Sequence, residues 1–217
     1  MSIKENLLAV TNTIPNSVTL VAVSKTKPMS LIQEAYDEGQ RIFGENRVQE
    51  MTEKWQKMPK DIKWHMIGHL QRNKVKYMAE YISLVHGVDS PRLLAEINKQ
   101  AEKHNRVISC LLQVHIAEED TKFGFNEEEL LDLVANEEFK AFKNVKIVGL
   151  MGMATFTENM NQVRREFASL KSLFTKLKSN YTDFNTLSMG MSGDYKIAIE
   201  EGSTMVRIGS SIFGSRN

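Results

Sequence analysis

Thr19-Leu20-Val21-Ala22-Val23-Ser24-Lys25-Thr26-Lys27-Pro28 is an apolar, β-branched run that ends in a short polar turn. Such a run, bounded by turn residues, reads as a buried strand over 19–23. The turn after the strand separates two architectures. An open, doubly wound sheet ordinarily carries a glycine-rich turn after its first strand, whereas this chain has Ser24-Lys25-Thr26-Lys27 there. Lys25 admits two readings at this point: a solvated residue that closes a strand, or a nucleophile held by a rigid element.

Outward from this segment, short apolar runs alternate with helix-like segments almost to the end of the chain. Eight runs read as strands: Thr19 to Val23, Arg41 to Phe43, Lys63 to Ile67, Ile82 to His86, Val107 to Val114, Val145 to Gly149, Thr186 to Ser188 and Met205 to Ile208. Between them, helical periodicity covers Met29 to Glu38, Arg47 to Lys57, Arg72 to Glu80, Ser90 to Asn105, Glu127 to Asn136, Asn161 to Lys178 and Tyr195 to Glu201. Ser90-Pro91 places a capping residue before a proline at the first helical position, and Gly39 and Gly202 stand where left-handed C-caps are wanted. Ile3 to Thr13 reads as an extra helix ahead of the first strand. Strands joined repeatedly through helices pair in parallel by right-handed crossovers, and eight repeats close a (β/α)8 TIM barrel. The open doubly wound sheet is the alternative. No proline-rich linker, low-complexity tract or charge block divides the chain, so residues 1–217 are expected to form a single domain.

At 217 residues the chain is long enough to bury a substantial core. With 28 basic and 27 acidic residues, nothing in the charge favours nucleic acid or a membrane surface as partner. Small molecules or proteins are the expected partners. The single cysteine, Cys110, lies in an apolar run and reads as a small buried hydrophobe. One cysteine forms neither an internal disulfide nor a thiolate zinc site. The first residues have no cationic start followed by an apolar block, and no apolar stretch approaches membrane-spanning length. A cytoplasmic protein, monomeric or weakly dimeric, is expected.

Barrels of this class carry their functional groups at the C-terminal ends of the strands. That rule selects Lys25, Glu45 and Asn46, Gly68 and His69, Asp89, His115, Gly149 to Met153, Ser188 to Ser192, and Arg207 to Ser210. The last two loops, Ser188-Met189-Gly190-Met191-Ser192-Gly193 and Arg207-Ile208-Gly209-Ser210-Ser211, combine glycines with hydroxyls ahead of expected helix N-termini. They read either as ordinary Gly/Ser turns or, together, as a phosphate cradle after strands seven and eight. His65-Met66-Ile67-Gly68-His69 has histidines four apart but lacks the glutamate and the helix of a zincin, so no metal is expected. Both histidines share one strand parity, which suits hydrogen-bonded residues of the interior or mouth. Met151, Met153, Met189 and Met191 suit an adaptable cavity lining or a gap-filling core. A lysine facing a phosphate site describes a pocket for a phosphorylated aldehyde, and pyridoxal 5′-phosphate is the obvious candidate. Lys25 would then form the Schiff base, with burial or neighbouring cations favouring its free amine.

The residues also resemble a known family, the pyridoxal phosphate homeostasis proteins, or proline synthetase co-transcribed (YggS-type) proteins. The resemblance rests on Val21-Ala22-Val23-Ser24-Lys25-Thr26-Lys27-Pro28, on 43–50 (Phe43-Gly44-Glu45-Asn46-Arg47-Val48-Gln49-Glu50), and on 65–74. It continues through Lys122-Phe123-Gly124-Phe125, Gly149-Leu150-Met151-Gly152-Met153-Ala154, Ser188-Met189-Gly190-Met191-Ser192 and the segment 202–214, in the same order over nearly the full length. It implies a fold-type III barrel like the N-terminal domain of alanine racemase, with Lys25 as the Schiff-base lysine. It further implies that Ser192, Gly209 and Ser210 hold the phosphate and that Arg207 lies near the pyridine nitrogen, where a cation disfavours protonation. Asn46 and His69 become pocket-wall positions. Two residues depart from the family pattern: His115 stands where asparagine is usual, and Gly193 where asparagine or aspartate is common.

Alanine racemase works with two acid/base groups, the lysine and a tyrosine delivered from a second, all-β domain across a dimer, and the expectation is that this chain has no residues left over to build that C-terminal β domain. None of its five tyrosines falls at the end of an expected strand. The expectation is therefore a cofactor binder that takes part in vitamin B6 and amino-acid homeostasis, with pyridoxal phosphate-dependent apoenzymes as possible recipients. The alternative is a fold-type III enzyme acting on an amino acid, a racemase or decarboxylase.

Overall fold

The structure, a computed structural model, describes residues 2–118, 123–179, 181 and 183–215. Within them, eight parallel strands close into a barrel in chain order. These are β1 Thr19–Val23, β2 Ile42–Glu45, β3 Lys63–Met66, β4 Leu84–Val88, β5 Ile108–Val114, β6 Val145–Gly152, β7 Thr186–Met191 and β8 Met205–Ile208. The seam joins β1 to β8, with Val21 opposite Arg207 and Ala22 opposite Ile208. The (β/α)8 barrel expected from the alternating pattern is the fold observed, and the open sheet is not.

Around the barrel run α1 Ile3–Thr11, α2 Met29–Asp37, α3 Val48–Lys57, α4 Pro91–Lys103, α5 Glu127–Ala135, α6 Glu137–Lys140, α7 Met160–Lys178, α8 Tyr195–Glu200 and α9 Ser210–Phe213. The extra helix α1 begins with a capping box: Ser2 Oγ accepts from Glu5 N, and the Glu5 carboxylate accepts from Ser2 N at 2.8 Å. Its face of Ile3, Leu7 and Val10 is buried, and Asn6 Nδ2 donates to Ile212 O at 3.0 Å, tying the start of the chain to α9.

One expected helix is something else. Residues 72–80 form a short 3₁₀ segment, Arg72–Tyr77, followed by a turn. The buried side chains there are Val75, Met78 and Ala79. Val75 and Met78 are three apart and so eclipse in a three-residue turn, while the lysines on either side stay outside.

Alternation along the strands sorts side chains into two environments. Ala22, Phe43, Trp64, Val85, Cys110, Leu112, Leu150 and Val206 belong to the large core between strands and helices. Val21, Leu84, Leu111, Met151 and Met205 form a separate buried cluster, the apolar part of the barrel interior. Two residues further along β1, β5 and β8 come Val23, Gln113 and Arg207, which face the cavity at the C-terminal end. The same parity carries β1 on to Lys25. Cys110 faces the outer core, where burial pushes its thiol far above the ordinary range and leaves it inert.

Several strands run further than expected. β2 reaches Glu45, β4 reaches Val88, β6 reaches Gly152 and β7 reaches Met191. Gly44, Gly87 and Gly190 lie in the parts of strands that pass the expected ends, and Gly149, the last residue of its expected strand, lies in the middle of β6. The φ of Gly149 is +157°, and a Cβ there would lie 1.7 Å from Thr186 O on the neighbouring strand, so the close approach of β6 and β7 requires its missing side chain.

Candidate functional site

A cavity of about 580 Å³ opens at the C-terminal ends of the strands, and Lys25 lines it together with Asn46, His69, Ser192, Arg207, Gly209 and Ser210. The seven positions that the family resemblance assigns to the pocket thus meet in one place. Lys25 is half-buried on the turn after β1. Asn46 and Gly68 come from the turns after β2 and β3, which touch: a Cβ on Gly68 would lie 2.7 Å from Asn46 O.

On the other flank of β1, the wall is built by the ends of β7 and β8. Gly209 N donates to Ser192 Oγ at 3.3 Å, so the two Gly/Ser loops are tied to each other. The first turn of α9 begins at Ser210, and the N–H groups of a first helical turn have no carbonyl partner within their helix. Asp194 also lines the cavity, and its Oδ1 accepts from Met191 N at 2.6 Å.

Arg207 forms part of the cavity wall and is buried. Its Nη1 donates to Ser188 O at 2.9 Å and to Ser188 Oγ at 2.6 Å, and its Nη2 donates to Gly152 O at 3.2 Å. All three acceptors are neutral. Burial lowers its pKa to about 10, against the opposing pull of Asp194, which leaves it a cation at neutral pH.

Behind Arg207 lies a buried polar chain. Ser188 Oγ is 3.0 Å from His86 Nδ1, and His86 Nε2 is 3.0 Å from His65 Nδ1. Ser188 Oγ accepts from Arg207 and shares a hydrogen with His86 Nδ1, and a further hydrogen lies between His86 Nε2 and His65 Nδ1, the tautomer of each ring setting which atom donates. Burial pushes His65 down to about 3 and His86 well below the ordinary histidine range, so both rings are neutral at neutral pH. The parity shared by His65 and His69 is therefore realised differently by each: His65 in the interior, His69 at the mouth. His69 Nδ1 meets Asp89 Oδ2 at 3.1 Å, and its ring stacks on Phe123 with centroids 4.0 Å apart.

Two expectations change. Glu45 does not face the mouth. It is fully buried on the outward side of β2, where its carboxylate meets Lys54 of α3 at 2.8 Å. His115 does not line the cavity either. Its backbone N–H pairs with Phe125 O at 2.9 Å beyond the end of β5, and the fifth strand contributes Gln113 instead. Gln113 was missed, although its parity with Leu111 would have found it; its Nε2 donates to Phe123 O at 2.9 Å. Gly193 lines the cavity with open space where a Cβ would stand, so nothing in the packing requires glycine there. Met153 and Met191 line the rim with Phe123 and Phe156. Lys122, in the block that includes Phe123, lies outside the described residues. Among the described residues, no cluster of His, Cys, Asp or Glu is arranged to hold a metal, and no helix is long and apolar enough to cross a membrane.

A family model described as alanine racemase, N-terminal domain, matches residues 1–217. A pyridoxal phosphate homeostasis protein of Aquifex aeolicus is 42% identical over 203 residues, covering 93% of this chain and 88% of that protein. Among solved structures, PipY of Synechococcus elongatus PCC7942 with PLP bound matches with a TM-score of 0.89 and 34% identity, over 98% of this chain and 100% of that one. An alanine racemase of Clostridium difficile 630 matches with a TM-score of 0.81 at 14% identity, over 99% of this chain and 56% of that one, a likeness of fold alone.

Proposed function

The chain belongs to the pyridoxal phosphate homeostasis proteins, within the alanine racemase N-terminal domain family, and from that premise we propose that its cavity holds pyridoxal 5′-phosphate on Lys25. The protein keeps the cofactor and hands it on without catalytic turnover. One observation carries this reading: a primary amine, a pair of Gly/Ser loops and a buried arginine line the same cavity.

The residues fit the group by their chemistry. When bound, pyridoxal phosphate supplies an aldehyde that condenses with a primary amine and a pyridine ring that can draw electrons from whatever is attached. Lys25 offers the amine. Ser192, Gly209 and Ser210 offer hydroxyl and backbone donors to the phosphate, and the loop-to-loop bond between Ser192 and Gly209 holds them in place. Arg207 is already cationic and donor-only, so it can give a hydrogen bond to a ring nitrogen but cannot accept a proton from it. That keeps the nitrogen unprotonated and restrains carbanion chemistry. Asn46 and His69 close the wall.

The reading places the protein in the cytoplasm, in keeping with its lone buried thiol, and makes cofactor-dependent apoenzymes its recipients. Visible absorption of the purified protein, reduction with borohydride and peptide mass mapping test the attachment. The expected adduct is on Lys25; an adduct on Lys27, or none, overturns the reading.

His69 favours a second reading, an amino-acid racemase or decarboxylase. It lines the cavity and is oriented by Asp89, so it could serve as a proton-transfer group complementing Lys25. Racemic product or loss of carbon dioxide, abolished in Lys25→Ala, would establish that reading.

A further inference from the structure

Lys25 stands in the middle of a turn, with Lys27 N donating to Ser24 O at 3.0 Å. The next residue, Thr26, has φ +63°. That is the left-handed region, which a β-branched side chain avoids and which the third position of a type II turn ordinarily gives to glycine or asparagine. A turn of this kind has a second form, related by a flip of its central peptide, in which the third position returns to negative φ. Here the central peptide is the Lys25–Thr26 bond. Its N–H is held: Thr26 N donates to Glu50 Oε1 at 2.6 Å.

Glu50 is itself held. Lys54 Nζ donates to Glu50 Oε1 at 2.7 Å, to Glu45 Oε1 at 2.8 Å and to Ser24 O at 2.9 Å, using all three ammonium hydrogens. Ser24 Oγ donates to Glu45 Oε1 at 2.6 Å. Lys54 and Glu45 are buried against the outside of the barrel, away from the cavity. Buried charges are costly to assemble, and strained backbone persists where its surroundings over-determine it. Here they grip the residues on both sides of the proposed attachment lysine.

We infer that Glu50, Lys54 and Glu45 are positioning residues that lock the Lys25 turn in its strained form and so aim the Lys25 amine into the cavity. The inference rests on the cofactor reading above and adds residues that touch neither the cofactor nor the cavity. The clamp acts through the Lys25–Thr26 peptide, so a residue that adopts the left-handed form without strain should remove the need for it. Thr26→Gly is that change.

The test compares wild type, Glu50→Ala and Glu50→Ala/Thr26→Gly, with Glu50→Met, which keeps the side-chain length but removes the acceptor, should Glu50→Ala fail to fold. Three quantities are read: the rate at which added pyridoxal 5′-phosphate becomes reducible by borohydride onto Lys25, the affinity for pyridoxine 5′-phosphate, and the melting temperature. Pyridoxine 5′-phosphate lacks the aldehyde and reports the phosphate loops alone. The Glu50 variant is expected to attach the cofactor about tenfold more slowly, the factor that corresponds to a left-handed non-glycine residue. Its affinity for pyridoxine 5′-phosphate should stay at the wild-type value, and adding Thr26→Gly should restore most of the lost rate. A merely structural role would lower the melting temperature and leave the attachment rate of the folded protein unchanged. Attachment at the wild-type rate in a folded Glu50 variant, or no recovery on adding Thr26→Gly, overturns the inference. Failure of the wild-type protein to attach the cofactor at Lys25 instead overturns the cofactor reading, and this inference with it.

Discussion

Arg207 balances its buried charge against the dipoles of Ser188 and Gly152 rather than against a hydrogen-bonded carboxylate. A lysine there would keep the charge but could not fork between two strands. Arg207→Lys is expected to lower stability by about 1–3 kcal/mol, because it leaves a buried acceptor unpaired. Urea unfolding checks this, and a variant within about 0.5 kcal/mol of wild type would contradict it. The buried histidines give the protein an acid-sensitive interior. Burial holds His65 at about 3 and His86 well below the ordinary 6.5. Between those values the unfolded chain binds protons that the folded chain refuses. Their contribution is therefore fully present above pH 6.5 and is lost as pH falls from there toward 3, with a slope of up to about 1.4 kcal/mol per pH unit for each ring. Unfolding measured from pH 7 to pH 4 should show this decline, and His86→Gln should flatten it. A wild-type profile that is flat in this range would refute the assignment of neutral buried rings. Lys25 and Arg207 were legible in the sequence because each ends a strand whose parity points inward. Glu45 was not, because the strand read from the sequence stops at Phe43 whereas β2 runs on to Glu45, and Gln113 was legible only through its parity with Leu111.

At the level of elements, β2, β4, β6 and β7 pass their expected ends at or through glycines, Gly44, Gly87, Gly149 and Gly190, and at the last three a Cβ would come closer than 3.0 Å to a neighbouring atom. Gly149→Ala puts a methyl into Thr186 O, 1.7 Å from its ideal position. It is expected to destabilise the protein by about 3 kcal/mol, at the upper end for overpacking, as read by thermal unfolding. An unchanged melting temperature would show that β6 and β7 are further apart than described. Helix α3 supplies the buried side of the Lys25 turn. No spacing in the sequence could announce that Lys54 would meet Glu45 and Ser24, since the contact joins α3 to the ends of β1 and β2. The 3₁₀ segment Arg72–Tyr77 was likewise hidden, because a short apolar pattern of period three resembles one turn of α-helix.

For the molecule as a whole, the alternation of strands and helices was enough to imply a closed barrel, and closure gathers the strand ends into one mouth. Gathering of this kind cannot be read along a chain: Lys25 and Ser210 are separated by most of the sequence and share a cavity because β1 pairs with β8. The family blocks located the same residues by a separate route, and they coincide with the strand ends that the barrel brings together. On this reading, Lys25 and the loops after β7 and β8 hold the two polar arms of one pyridoxal 5′-phosphate molecule, its aldehyde carbon and its phosphate. A crystal structure of the protein grown with that cofactor puts both arms to the test at once. It should show density continuous from Lys25 Nζ, the phosphate between Ser192 and the Gly209-Ser210 turn, and the ring nitrogen against Arg207. A cofactor bound elsewhere, or one in this cavity with its phosphate away from Ser192 and the Gly209-Ser210 turn, would contradict the proposed binding mode.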